Sequence, residues 1–325
     1  MRLSSKAPLI VKCSGGKAAQ ILALINAIYL SKKLGVDFKL VYFPHSTGTF
    51  WEFGLEELLY EKEVYEIRNS PGIDSDQEIA HGTHIPNFPT RRGGFNYLKA
   101  FQLLNRLGLV RFLSLLRRER VVAGSRRRLD QVTRRTRMVS GNFVPILENE
   151  VYVELESRLG GKVGVNPFST RVVSNVVVIH YRLGDMRIDP LGVQGGQESR
   201  VVDPQVFRDL LKSVNFDFEK ECAQVISDEP KLAAQLLLSV GVNAMEAPTE
   251  FGFWQDLNIM SSAKVFIGSL SQMSFLGGSL CLRHGGQVFL PGDAFGEVDI
   301  ARDIGIQGFN FYSISYLNRS HWIFK

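Results

Sequence analysis

His180, Arg182 and Asp185 fall within six residues at the end of the apolar run Val176-Val177-Val178-Ile179. An arginine so placed binds phosphate or carboxylate through charge-assisted, fork-shaped hydrogen bonds. A carboxylate beside it can take or give a proton. Two similar clusters follow later apolar runs. Ser227 and Asp228 close the stretch that begins at Ala223, and Ser269, Ser271 and Gln272 come directly after Val265-Phe266-Ile267-Gly268. Serine hydroxyls and backbone N–H groups at a helix start suit a phosphate. Asp228 suits the hydrogen-bond donors of a base or ribose. Near the amino terminus, Gly15 and Gly16 form a turn ahead of a helical pattern, a further anion seat. It is not a phosphate-binding loop of the Walker type, because the first glycine and the hydroxyl residue after Lys17 are missing. Each cluster also has an ordinary explanation. Serine before a helix and aspartate before proline are common caps, a Gly-Gly turn lets a helix pack on a strand, and a lone histidine at a strand end is often a satisfied core residue.

What lifts these clusters above that background is the pattern of elements that must carry them. Val176 to Ile179 is β-branched and apolar on both faces, as expected for a buried parallel strand. Ala223–Ser227, Val265–Ile267 and Val288–Leu290 read as further strands. Helical patterns alternate with them: one capped by Asp203-Pro204, then Lys231–Val240, Asp256–Ser262 and Met273–Leu282. Alternating strand and helix specify a parallel α/β sheet. In such a sheet the three polar clusters meet at the carboxyl edge, where ligands bind. The loop from Met186 to Arg200 follows the first of these strands and carries Asp189 and Glu198. The amino-terminal half opens in the same way, with a strand at Leu9–Cys13, a helix at Ala18–Leu34 ending at Gly35, and a strand at Phe38–Phe43. The Gly-rich stretch 157–170 is the expected boundary, giving domains 1–165 and 166–325. Residues 97–137, rich in arginine with an apolar stripe, are expected as a basic helical insertion. The loop 45–51 is a candidate lining of the interdomain cleft, and the turn-rich loop 81–94 is a candidate for the acceptor side.

The chain has 325 residues, 45% of them hydrophobic, and a net charge of +5, which fits a two-domain globular protein. The charge suits an anionic ligand. Nucleic acid is not expected, since there is no recognisable nucleic-acid motif and Phe112 alone among aromatic residues falls between the arginines of 106–137. That segment is a candidate seat for an anionic membrane surface. Cys13, Cys222 and Cys281 are far apart and form no metal-binding pair, so they read as small core residues in a reducing compartment, and no metal is expected. The run 21–30 is too short to span a bilayer. A cytoplasmic protein, with peripheral membrane association as an option, is the expectation.

His180-Tyr181-Arg182-Leu183-Gly184-Asp185 resembles the His-x-Arg-x-x-Asp motif of the α1,2-, α1,6- and protein O-fucosyltransferase superfamily. Ser227-Asp228 resembles its second motif. Asp256-Leu257-Asn258-Ile259-Met260-Ser261 with Phe266 to Gln272 resembles its third. Gly15-Gly16 with Gln20 is similar to the opening of the α1,2 branch and its bacterial and viral relatives. The resemblance implies a GT-B fold, two Rossmann-like domains facing across a cleft. It implies inverting, metal-independent transfer of a sugar, fucose from GDP-fucose by default, to a glycan hydroxyl. Arg182 would contact the β-phosphate, Asp228 the base, and Ser269, Ser271 and Gln272 the diphosphate, with His180 and Gly184 shaping the same edge. Asp185, Asp189 and Glu198 are the candidate bases. Two departures bear on the donor. Leu183 stands where many members carry arginine, and Phe275-Leu276-Gly277-Gly278 replaces a Trp-Trp pair. UDP-xylose, UDP-galactose and GDP-mannose are therefore alternative donors. A non-catalytic protein that binds a polyanion or membrane is the alternative of another class.

Overall fold

The computed structural model describes residues 8–13, 16–42, 64–66, 120–123, 126–134, 136, 138–141, 143–159, 166–169, 173–184, 201–247, 252–294, 298–305 and 307–317. The chain divides into two compact units, Met1–Val144 and Pro145–Lys325. Each is built on an all-parallel sheet, so the expected α/β class with two Rossmann-like sheets is present.

In the first unit, β1 (Leu9–Cys13) leads into α1 (Lys17–Leu34) and returns as β2 (Phe38–Tyr42). Joined by β3 (Val64–Glu66), β4 (Arg120–Ala123) and β5 (Met138–Gly141), they form a sheet ordered β3-β2-β1-β5-β4. Helix α1 buries an unbroken run from Gln20 to Ile28, which is why its sequence is apolar nearly all round. It ends where Gly35 adopts the left-handed conformation (φ 62°), with its N–H bonded to the Ser31 carbonyl. Arg134 Nε donates to the Leu34 carbonyl at 3.0 Å, satisfying another open group of the last turn.

The expected basic helical insertion at 97–137 is corrected at residues 120–123. Residues 120–123 are a strand in parallel register with β5, because β-branched Val121 and Val122 favour a pleated backbone. Helix α2 (Arg126–Asp130) has only five residues. It is tied to α1 by Arg126, whose guanidinium lies 4.6 Å over the Tyr29 ring, and by the Lys33–Asp130 ion pair at 3.1 Å. Residues 97–119 lie outside the described residues, as do the loops 45–51 and 81–94.

The second unit begins with α3 (Asn149–Leu159) and continues through β6 (Val177–His180), α4 (Pro204–Ser213), β7 (Ala223–Ile226), α5 (Pro230–Ser239) and β8 (Ala244–Glu246). It goes on with α6 (Gly252–Ser261), β9 (Val265–Gly268), α7 (Gln272–Arg283) and β10 (Gln287–Pro291). The short antiparallel pair β11 (Asp293–Ala294) and β12 (Val298–Asp299), α8 (Ile300–Ile304) and β13 (Phe309–Tyr312) complete it. The sheet order is β13-β10-β9-β6-β7-β8. Counted along the chain within this sheet, that is 3-2-1-4-5-6 read from β8, so the topology reverses between β6 and β9.

Alternation along β6 sends Val177, Ile179, Tyr181 and Leu183 into one core layer with Phe207 and Leu211. The Tyr181 and Phe207 rings meet edge to face at 4.7 Å. Asp203 caps α4 by accepting from the Gln205 N–H at 2.9 Å, with Pro204 in the first turn, as the sequence specified. The segment after β13 pairs with the chain that enters α4. Asp203 N–H donates to Ser315, Leu317 N–H donates to Val201, each at 2.8 Å, and Leu317 is buried. Cys13 and Cys281 are core residues, but Cys222 is exposed, because it sits in the turn that precedes β7 rather than in the strand. Among the described residues no helix is long and apolar enough to cross a membrane.

Candidate functional site

The neighbouring strands β9, β6 and β7 bring the three polar clusters of the second unit to one carboxyl edge, at the point where the strand order reverses. Backbone pairing of β6 ends there, but its hydrogen bonding continues. The Tyr181 N–H donates to the Ile226 carbonyl of β7 at 2.9 Å. The next two N–H groups find side chains. Arg182 N–H donates to Ser269 Oγ, and Leu183 N–H to Asp228 Oδ1, each at 2.9 Å. Ser269 N–H returns a bond to the His180 carbonyl at 3.0 Å. Two side chains, one from each flanking connection, thus extend the sheet past its last backbone rung and hold the Arg182 main chain on both sides.

Arg182 Nε lies 3.5 Å from Asp228 Oδ2, and both side chains are about one quarter exposed (27% and 28%). The arginine is therefore held at the edge without being withdrawn from solvent. Gly184 lies against the Asp228 carboxylate so closely that a Cβ would overlap it. Ser227 Oγ accepts the Glu229 N–H at 3.0 Å and lies 3.4 Å from Asp228 Oδ1, so this turn is internally bonded. Ser269 is buried (1% exposed), and its hydroxyl serves the Arg182 backbone. Ser271 and Gln272 are half-buried. Ser271 caps α7 by accepting from the Met273 N–H at 3.2 Å, and Gln272 is the first residue of that helix. The amino end of α7, with its partial positive charge, is thus next in sequence to the serine that pins Arg182.

His180 is buried, and its Nδ1 shares a 2.6 Å hydrogen bond with Ser274 Oγ in the first turn of α7. Burial holds its pKa down to about 4, with the Arg182 charge acting in the same direction and Asp228 opposing. It is a neutral imidazole near pH 7 and joins β6 to α7. Ser274 was not singled out from the sequence. Its signal was its place one helical turn after the cap Ser271, beside Gly268. A Cβ on Gly268 would collide with Ser274, so that glycine lets α7 start against the end of β9. A second residue emerges from the structure. The carboxyl of Asp256 in α6, a helix that packs on α7, is pushed up to about 6 by burial alone. Its signal in the sequence was one acid inside Phe253-Trp254-Gln255-Asp256-Leu257.

Of the remaining expected residues, Gly16 is the N-cap of α1 in the first unit, with no side-chain cap there. Gly15, Asp185, Asp189 and Glu198 lie outside the described residues. Among the described residues, no group of three or more His, Cys, Asp or Glu side chains comes together to hold a metal ion.

No protein-family model matches this chain, and no curated protein matches it. Solved structures do show similarity. POFUT1 in complex with GDP aligns over 89% of this chain and 99% of its own, with 11% identity and a TM-score of 0.36. The NodZ alpha-1,6-fucosyltransferase soaked with GDP-fucose aligns over 85% and 93%, with 11% identity and a TM-score of 0.36. The E. coli heptosyltransferase WaaC with ADP aligns over 94% and 93%, with 13% identity and a TM-score of 0.37.

Proposed function

We propose that this protein is a glycosyltransferase of GT-B type that moves a sugar from a nucleoside diphosphate donor to a glycan hydroxyl. The donor assigned is GDP-fucose, and the transfer is inverting and needs no metal. The observation that carries this reading is Arg182 at the carboxyl end of the first strand of a 3-2-1-4-5-6 sheet, pinned by Ser269 on one side and Asp228 on the other. A departing nucleoside diphosphate develops negative charge on its β-phosphate. A fixed guanidinium and the amino end of α7 meet that charge without reorganising during the reaction. Neutral His180 adds no competing proton chemistry and serves to hold β6 and α7 together. The proton of the acceptor hydroxyl goes to a carboxylate of the segment after Gly184, with Asp185, Asp189 and Glu198 as the candidates. The motifs from His180 to Asp185 and from Asp256 to Gln272 favour a GDP-sugar over the UDP-sugars.

The test is calorimetric titration of GDP, UDP and ADP, followed by a screen of GDP-fucose, GDP-mannose, UDP-galactose and UDP-xylose for donor hydrolysis in the presence of EDTA. GDP is expected to bind, with GDP-fucose the donor consumed. Arg182→Ala is expected to lose GDP affinity and turnover by more than about tenfold with an unchanged unfolding midpoint. Wild-type affinity or turnover in that variant would overturn the assignment.

A further inference from the structure

Asp228 was expected from the sequence to contact the base of a nucleotide, yet apart from a 3.4 Å contact with its neighbour Ser227 its carboxylate turns towards the β6 end. Oδ1 accepts the Leu183 N–H, Oδ2 faces Arg182 Nε, and the carboxylate lies against Gly184, where no other residue would leave room. We propose that Asp228 is a positioning residue for Arg182: a carboxylate fixed by the Leu183 N–H and admitted by Gly184 sets the plane of the guanidinium that receives the diphosphate. This rests on the reading of Arg182 as the diphosphate ligand given above.

The physical case is one of pre-organisation against charge. Asp228 cancels part of the field that Arg182 offers an anion, so its presence costs attraction. A partly exposed pair of this kind also adds little to stability. What it supplies is geometry. An arginine side chain has many rotamers, and a two-pronged contact with phosphate demands that most of that freedom be given up. Holding Nε in place means the loss occurs on folding rather than on binding. The carboxylate does not swing away with the arginine, because a backbone N–H holds its other oxygen. Gly184 is the second half of the device. Any side chain there pushes the carboxylate off its seat, and Arg182 follows.

The test uses the whole chain, with Asp228→Asn and Gly184→Ala, each alone, together and in an Arg182→Ala background. Asp228→Asn keeps the acceptor for Leu183 N–H and removes the charge. It is expected to weaken GDP binding about tenfold, with turnover falling alongside. Gly184→Ala should act in the same direction, and the two together should cost no more than the larger single effect. In the Arg182→Ala background Asp228→Asn should change GDP affinity less than twofold. An effect that persists undiminished there, or a change in the preference for GDP over UDP, would mean that Asp228 contacts the nucleotide itself and would overturn the proposal.

A readout without ligand separates this from failure of the functional assignment. The Nε–H resonance of Arg182, identified by its loss in Arg182→Lys, should show slowed solvent exchange in the wild type. It should exchange faster, and shift in position, in Asp228→Asn and in Gly184→Ala. If no nucleoside diphosphate binds the wild type, the transferase reading fails while this resonance still decides whether Asp228 orients Arg182. An unchanged resonance in both variants refutes the positioning role.

Discussion

At the scale of single residues, one buried and one partly buried titratable group in the second unit pull stability in opposite directions with pH. His180 titrates at about 4 in the folded chain against 6.5 for the free side chain. Between those values the unfolded chain holds a proton that the folded chain refuses, so stability falls as pH drops through that window. Above it both forms are neutral and His180 contributes nothing. Asp256 has the reverse sign. Its folded value is raised from 3.8 to about 6, so the folded chain takes up the proton first and regains stability as pH falls through that range. The two partly cancel in the wild type. Measured against it by urea unfolding, His180→Gln is expected to gain stability as pH falls from 6.5 to 4. Asp256→Asn is expected to be more stable than wild type at pH 7.5, with the gain gone near pH 4. Parallel curves for all three proteins would contradict both assignments.

At the scale of elements, the helix α7 shows how close packing serves the site. Gly277 faces Met260 of α6 and Gly278 faces Val288 of β10, each at distances where a Cβ has little or no room. The Gly-Gly pair therefore seats α7 between its neighbours and sets where its amino end points. Gly277→Val is expected to cost roughly 1–3 kcal/mol of stability through overpacking against Met260, read as a shift in denaturation midpoint. Gly278→Ala, with its nearest neighbour the end of the Val288 side chain, should cost less. Much of this level was legible beforehand. Asp203-Pro204 announced a helix start and Gly35 a helix end, since caps are local chemistry. The strands β6, β7, β9 and β10 declared themselves by apolar runs with abrupt polar ends. Three kinds of element were not legible. Strands β4 and β5 hide among arginines, and only their partners in the sheet make them strands. Ala244–Glu246 is a partly exposed edge strand with no apolar run to mark it. Phe309-Asn310-Phe311-Tyr312 is interrupted by a polar residue. At the site, Arg182 and its sheet position were readable from one strand. The engagement of Ser269 and Asp228 with the Arg182 and Leu183 N–H groups was not, because it joins residues 87 and 45 positions apart.

At the scale of the whole molecule, the excess of positive charge gathers between 106 and 137, and part of it is structural. Arg126 stacks on Tyr29 and Arg134 holds the Leu34 carbonyl, so neither is a free surface charge. Arg117 and Arg118 are the better probes of a surface role. Reversing both to glutamate is expected to abolish co-sedimentation with vesicles containing phosphatidylserine at low salt and leave donor hydrolysis unchanged, as for a basic anchor. Loss of glycan transfer with donor hydrolysis intact would instead assign that segment to the acceptor. The pairing of Val201–Asp203 with residues 315–317 has its own bearing on the life of the protein. A chain is made from its amino end, and domains close in the order they emerge. The sheet from β6 to β9 can assemble while synthesis continues, and Val202 can already accept the Tyr181 hydroxyl, but the backbone bonds that join Val201 and Asp203 to residues 315–317 form only after those residues leave the ribosome. On the nascent chain, the stretch that enters α4 therefore completes its backbone pairing only at the end of this unit's synthesis.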